Sequence, residues 1–217
     1  MAKSGVPSRM AEEGTPRSAE TRRRLVEAAV RTLKEEGYAG ASARAIAERA
    51  GANQGLIFYH FGSVTNLLLA ALDAVSAERL EHYSAALAPV RSPAELVDVA
   101  TAIFREDLDA GYVTVLVEMI AGASSTPGLG PAVAARIGPW TDFTQRAMEK
   151  ILGDAPLGSL LPAGDVAFGV VALYLGLEML SHLNGDPAPA LGLLAHAKVL
   201  AGLFAPLSAS TTNKEMT

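Results

Sequence analysis

The chain has 217 residues, half of them apolar, a net charge of −5 and no cysteine. That length builds a sizeable core and one or two domains, and the apolar share excludes a disordered chain. The missing thiols exclude a disulfide framework and cysteine-ligated zinc, and they suit a reducing, cytoplasmic location. Residues 1–20 carry scattered charge and no apolar run, so no secretory signal is read there. The longest uncharged apolar run is Val166 to Leu177, twelve residues. A membrane span needs about 20, so the run reads as a buried helix and no membrane partner is expected. Charge is unevenly spread. Residues 1–60 hold ten Lys/Arg against seven Asp/Glu, a net +3, and the remainder carries −8.

Nearly every segment reads as helix, and alternating β-branched runs are missing. Residues 1–16 read as a disordered arm. A first helix starts around Arg17 to Thr21, with Val26, Ala29, Val30 and Leu33 on one face, and stops at Gly37. Ser42 caps a short second helix, "SARAIAERA", which ends at Gly51. A third helix spans roughly Asn53 to Phe61, with Asn53 as its cap. A long fourth helix follows Gly62 and runs to Leu87. Ser92 to Glu95, "SPAE", is a capping box that opens a helix ending near Gly111. Its inward stripe is Leu96, Val99, Ala100 and Ile103. Further helices are expected over 112–123 and 131–152, where Pro139 predicts a kink or split. The last two run over 164–184 and 188–206. Residues 208–217 read as a frayed tail.

Residues 42–61 form a helix, a tight turn and a second helix. Ala47 is small where the two must touch, and Gly51 tolerates the positive φ of the turn. Ile46, Ala50 and Ile57 point into the shared core. The second helix is then free to present its N-terminal residues to a DNA major groove. Its stretch of four rings, Phe58 to Phe61, fits no single buried stripe. Phe61 packs inward, Phe58 lies at the margin, and Tyr59 and His60 face out toward phosphate oxygens. Gln54 has the amide that reads adenine in bidentate fashion. Asn53 shares that face, and Gly55 lets the helix approach DNA closely. Arg22 and Arg23 on the first helix, and Ser42 and Arg44 at the second, complete the expected DNA contacts.

These motifs resemble the N-terminal domain of the TetR (tetracycline repressor-like) family of bacterial transcription regulators. The resemblance covers about residues 21–72. It rests on Gly37-Tyr38, Ser42-Ala43-Arg44-Ala45-Ile46-Ala47, Ala50-Gly51-Ala52 and Ile57-Phe58-Tyr59-His60-Phe61. The family usually has tyrosine at Phe58 and lysine at Val64, both phosphate contacts, so two contacts are lost here. Ser63 is followed three residues later by Asn66 rather than glutamate, so the fourth helix lacks a capping-box partner. The resemblance implies an all-α chain with a three-helix helix-turn-helix domain over 17–62. A helical effector-binding and dimerisation domain then follows over 63–207.

Within that second domain Glu118 and Glu178 sit in apolar sequence, where an unpaired carboxylate is costly. Arg105 and Arg136 are their expected structural partners. The bulky residues Tyr112, Met119, Trp140, Phe143, Met148 and Tyr174 are core residues or pocket lining. With Glu118 and Glu178, all but Met148 form the expected effector pocket. The four histidines, His60, His82, His182 and His196, show no ligand spacing, so neither metal nor cofactor is expected. No nucleophile motif points to an enzyme. The last two helices carry apolar stripes through Gly169, Leu173, Gly176, Leu177 and Leu180, and through Leu193, Leu194, Ala197, Leu200 and Phe204. Paired between two subunits they make a four-helix bundle, hence an expected homodimer. The reading is a ligand-responsive DNA-binding regulator, a repressor released from a palindromic operator by a small effector. The alternative is a helical small-molecule-binding protein whose DNA-binding domain has decayed.

Overall fold

Ser42 shows how the sequence dictates the first unit. Its extended backbone ends one helix segment, and its hydroxyl accepts the Ala45 amide at 3.1 Å, which starts the next. The structure is a computed structural model and describes residues 16–152 and 162–204. Ten helices are found among the described residues, and no strand. They are α1 (Pro16–Gly40), α2 (Ala43–Ala50), α3 (Gly55–Phe61), α4 (Val64–Leu87), α5 (Pro93–Ala110), α6 (Tyr112–Ala123), α7 (Leu129–Ala134), α8 (Gly138–Leu152), α9 (Ala163–Asn184) and α10 (Ala188–Phe204). The expected tail lies outside the described residues, as does the expected arm except Pro16, which opens α1.

The chain divides into two compact units, one ending at Ala74 and one beginning at Val75. The expected boundary at residue 62 therefore moves into α4, whose first half belongs to the first unit and whose second half belongs to the second.

In the first unit α1 packs on α2. The core is Leu25, Ala28, Leu33, Ile46, Ala47, Ile57, Phe61, Leu67 and Leu68, all buried. Burying one such branched side chain contributes about 1.5–3 kcal/mol. Gly37, at φ 71 and ψ −177, breaks the α1 helix where the sequence placed its stop, and a second short helical turn then carries it to Gly40. Gly51, at φ 59 and ψ 40, donates to the carbonyls of Ala47 and Glu48 and closes α2.

In the second unit α9 lies along α8, and α10 along α5. Ser92 accepts from the Glu95 amide at 3.3 Å, and Glu95 Oε2 accepts from the Arg91 amide at 2.9 Å. The capping box thus closes one residue earlier than expected. Of the kink or split that Pro139 predicts over 131–152, the split is found, between α7 and α8, because the proline cannot donate to the turn before it. The Val166–Leu177 run is only partly buried, unlike the buried helix its composition predicts. Ala167 and Val171 are buried, but Phe168, Val170, Leu173 and Leu180 are exposed. Helix α9 has the length and apolarity that a membrane span requires. It also carries the buried carboxyl of Glu178, which belongs with a packed helix.

Candidate functional sites

The turn between α2 and α3 positions the first site. Asn53 Oδ1 accepts the Gly55 amide at 2.7 Å. It therefore caps from outside the helix, and α3 begins two residues later than the sequence reading placed it. A Cβ at position 55 would stand 3.1 Å from that oxygen, so glycine serves this turn as well as any approach to DNA. Ile57 and Phe61 are buried. Tyr59 is 46% exposed and Phe58 49% exposed, so Phe58 faces out as fully as Tyr59 and is not marginal. His60 is half-buried, edge-on between Tyr59 and Phe61 with ring centroids at 4.9 and 6.3 Å. Asn53, Gln54 and Gly55 are exposed, as are Ser42 and Arg44.

The arginines of α1 separate into three roles. Arg22 stacks over the Phe61 ring at 5.0 Å. Arg23 is held by Glu20 at 2.7 Å and Glu27 at 2.5 Å, so its charge is already matched. Arg24, which the sequence reading did not single out, donates to the carbonyls of Ala50 and Gly51 and so caps the end of α2. Arg49 binds Glu35 and Glu36 and ties α2 to the end of α1.

The second site lies wholly in the second unit. Asp107 on α5 is buried and accepts from three groups: Arg79 and Tyr83 on α4, and Tyr174 on α9 at 3.2 Å. The Arg79 guanidinium also lies over the rings of Tyr83 and Tyr112, at 5.0 and 4.3 Å. Tyr83 is the hub of the rings. Trp140 meets it at 5.3 Å, Phe143 at 6.4 Å and Tyr174 at 6.5 Å, and Phe104 meets Tyr174 at 5.8 Å. Glu178 is 4% exposed, and its Oε1 has no hydrogen-bond partner. Burial and the neighbouring Asp107 carboxylate push its pKa up to about 8. Burial also raises Asp107, against the pull of the Tyr83 phenol and Arg79. Burial raises both tyrosines, which stay neutral donors.

Of the residues expected in a pocket, Trp140, Phe143, Tyr174 and Glu178 meet around Tyr83, and Tyr112 joins them through Arg79. Met119 is fully buried, and Glu118 is half-buried on α6. The groups acting on Glu178 are Asp107 and Arg79, not Arg105 or Arg136. Arg136, in the turn after α7, donates to Ala132 O of that helix at 2.7 Å. The sequence reading missed Arg79, Tyr83 and Asp107. A signal for two of them was present. Asp107 falls four residues after Ile103 on the inward stripe of α5, and Arg79 four after the buried Val75 on α4. Among the described residues no cluster of His, Cys, Asp and Glu is arranged to hold a metal.

A short helix capped by Ser42, a left-handed glycine turn and a following helix with exposed rings define a helix-turn-helix protein. Residues 25–71 match the model of the bacterial regulatory proteins of the tetR family. An uncharacterized HTH-type transcriptional regulator of Mycobacterium tuberculosis is 34% identical over 115 residues, 52% of this chain and 58% of that protein. The match thus spans little more than half the length of that relative. The HTH-type transcriptional repressor AcnR of Corynebacterium glutamicum is 44% identical over 50 residues, 23% of this chain and 27% of its own. A TetR-family transcriptional regulator from Rhodococcus sp. shares the fold with a TM-score of 0.70 at 21% identity, over 84% of this chain and 98% of that one. Residues 25–71 thus match a TetR-family domain, and the chain as a whole shares its fold with the Rhodococcus protein.

Proposed function

We propose that the protein is a ligand-responsive transcription regulator, a repressor that a small effector releases from a palindromic operator. The observation that carries the reading is the outward face of α3. Phe58 and Tyr59 are about half exposed beside Gln54, on the second helix of a helix-turn-helix. Two exposed rings are poorly hydrated on a free protein and well used against DNA. Gln54 supplies a base contact, and Tyr59 and His60 supply phosphate contacts. Arg44 and Arg22 add charge on the same unit, while Arg23 is a weaker candidate because Glu20 and Glu27 already hold it.

The exposed faces of α9 and α10 support pairing with a second copy. Leu173, Leu180, Leu193 and Leu200 are 45–58% exposed. A Cβ added at Gly169 or Gly176 would meet nothing within 4 Å. Glycine in a helix is destabilising by about 1 kcal/mol, so its use here fits a close approach from outside the chain. Leu177, Leu194 and Ala197 lie half-buried along the same helices. The side chain of Phe204, also expected there, lies outside the described residues. A dimer doubles the bases read and requires a two-fold operator.

The effector acts as a coupling between sites. It prefers a dimer whose α3 helices are misplaced for successive major grooves, and DNA weakens its binding by the same factor. The test is repeated selection from a random duplex pool. Enrichment of a two-fold symmetric motif supports the reading. Failure to enrich any motif at low salt instead favours a helical sensor without DNA binding, a reading motivated by Phe58 and Val64.

A further inference from the structure

We infer that the effector is a small molecule bearing a protonated amine, held by the Glu178 carboxylate beside the ring cluster of Tyr83, Trp140, Phe143 and Tyr174. The inference rests on the proposed regulator reading for its biological meaning, but the site stands on its own geometry. Two carboxylates, Asp107 and Glu178, share this part of the unit with a single guanidinium, Arg79. Asp107 is fully engaged, accepting from Arg79, Tyr83 and Tyr174. Glu178 shares a hydrogen bond with Asp107 and is otherwise unsatisfied. Its Oε1 is buried with no hydrogen-bond donor, and a buried acceptor in that state calls for one.

The surroundings select the class of donor. The rings of Tyr83, Trp140, Phe143 and Tyr174 are each partly exposed, whereas Glu178 is 4% exposed. The rings are therefore partly open to solvent, and the Glu178 carboxyl lies close enough to Tyr83 and Tyr174 to act on both phenols. Ring faces attract cations through their quadrupole, and a carboxylate forms its strongest hydrogen bonds with charged N–H donors. An ammonium group supplies both. A neutral alcohol supplies a donor without charge, and a quaternary ammonium supplies charge without a donor. An anionic ligand meets the Asp107 carboxylate, and although Arg79 Nε is a buried donor with no partner, the guanidinium charge is already matched by Asp107. Without a cation Glu178 is protonated at neutral pH, so an arriving ammonium takes the place of a proton. Asp107 and Arg79 are the charged groups that act on it. Binding of the amine therefore releases a proton into the medium.

Trp140 is the only tryptophan in the chain, so its fluorescence reports this site alone. The probes are benzylamine, benzyl alcohol and phenyltrimethylammonium, titrated to about 10 mM as suits fragments of their size. We expect saturable quenching by benzylamine, with the alcohol and the quaternary ion about tenfold weaker or more. Glu178→Gln keeps the shape and removes the charge. It is expected to bring benzylamine and benzyl alcohol to equal affinity while circular dichroism stays unchanged. Calorimetry in two buffers of different ionisation enthalpy reads the proton release, which the Gln variant abolishes. Equal binding of amine and alcohol by the native protein overturns the inference. So does an amine preference that survives Glu178→Gln, or no saturable change with any amine. A gel shift run alongside separates the two claims. DNA binding without amine binding removes this site and leaves the regulator reading. Amine binding without DNA binding does the reverse.

Discussion

The side-chain amide of Asn66, in the first turn of α4, donates to the main-chain carbonyl of Phe61, the last residue of α3, at 2.9 Å. The same residue's backbone amide is accepted by Ser63 Oγ at 3.1 Å. Asparagine therefore does what the capping-box glutamate cannot. It satisfies an orphan carbonyl at the end of α3 while its own N–H is capped at the start of α4. The helix proposed to read DNA is thus tied by one side chain to the first turn of α4.

Removing that tie has a measurable cost. Asn66→Ala should lower stability by about 1 kcal/mol, the net value of such a hydrogen bond. Urea denaturation followed by circular dichroism reads it. Asn66→Asp places an acceptor opposite an acceptor and should be at least as damaging. If both variants unfold at the native midpoint, the tie contributes nothing.

The two departures from the family pattern predict a gain of function. Val64 lies half-buried in the first turn of α4. Val64→Lys should steepen the dependence of log K on log salt by roughly 0.9, the release of one counterion. Phe58→Tyr adds a hydroxyl to a ring that is already exposed and should tighten DNA binding without changing that slope. Fluorescence anisotropy at several salt concentrations distinguishes the two. An unchanged slope for Val64→Lys places residue 64 away from the phosphates.

The buried carboxyl predicts a pH-dependent stability. An unfolded glutamate titrates near 4.3, and Glu178 in the folded chain is raised to about 8. Between these values the native state holds a proton that the unfolded state has lost. The contribution is therefore complete below about pH 4 and disappears as pH rises through 8, with a slope of at most about 1.4 kcal/mol per unit. Asp107 is shifted in the same direction by burial. Glu178→Gln should flatten the native fall in stability between pH 5 and 8. Parallel denaturation curves for the two proteins across that range would argue against a buried, protonated Glu178.

The exposed faces of α9 and α10 predict the oligomeric state. Leu180→Glu and Leu200→Glu each place a charge on a half-exposed apolar face. Light scattering coupled to gel filtration should find the native chain as a dimer and the double variant as a monomer with unchanged helix content. The monomer should bind operator DNA far more weakly, because half of the base contacts go with the partner. A native monomer at micromolar concentration contradicts the proposed interface.

Local signals made most of the fold legible. Ser42, Gly51, Ser92 and Gly111 each act at the helix end where the sequence placed them, because capping is decided within four residues. Asn53 accepts the amide of Gly55, the first residue of α3, so the helix begins two residues beyond it. The split at Pro139 was one of two outcomes the ring permits. The buried cluster was only half legible. Trp140, Phe143, Tyr174 and Glu178 stood out by size or by an unsuitable charge. Arg79 and Asp107 sit in charged sequence, "AERLEHY" and "REDLDAG", and look like solvated faces. Their pairing joins α4 to α5 across 28 positions, and no local pattern encodes such a contact. The exposure of α9 was hidden for a related reason. An apolar stripe packs equally well on its own domain or on another chain, and the sequence alone does not distinguish them.

The central claim is that α3 binds DNA. The most direct measurement is a gel shift of the full chain on the DNA upstream of its own coding sequence, beside Gln54→Ala and Tyr59→Ala. The account predicts a specific, salt-sensitive shift. Gln54→Ala should weaken it by about 1–3 kcal/mol with loss of base preference, and Tyr59→Ala should weaken it across all sequences. A native protein that shifts neither this DNA nor a random duplex pool at low salt would contradict the claim, as would variants that bind as tightly as the native chain.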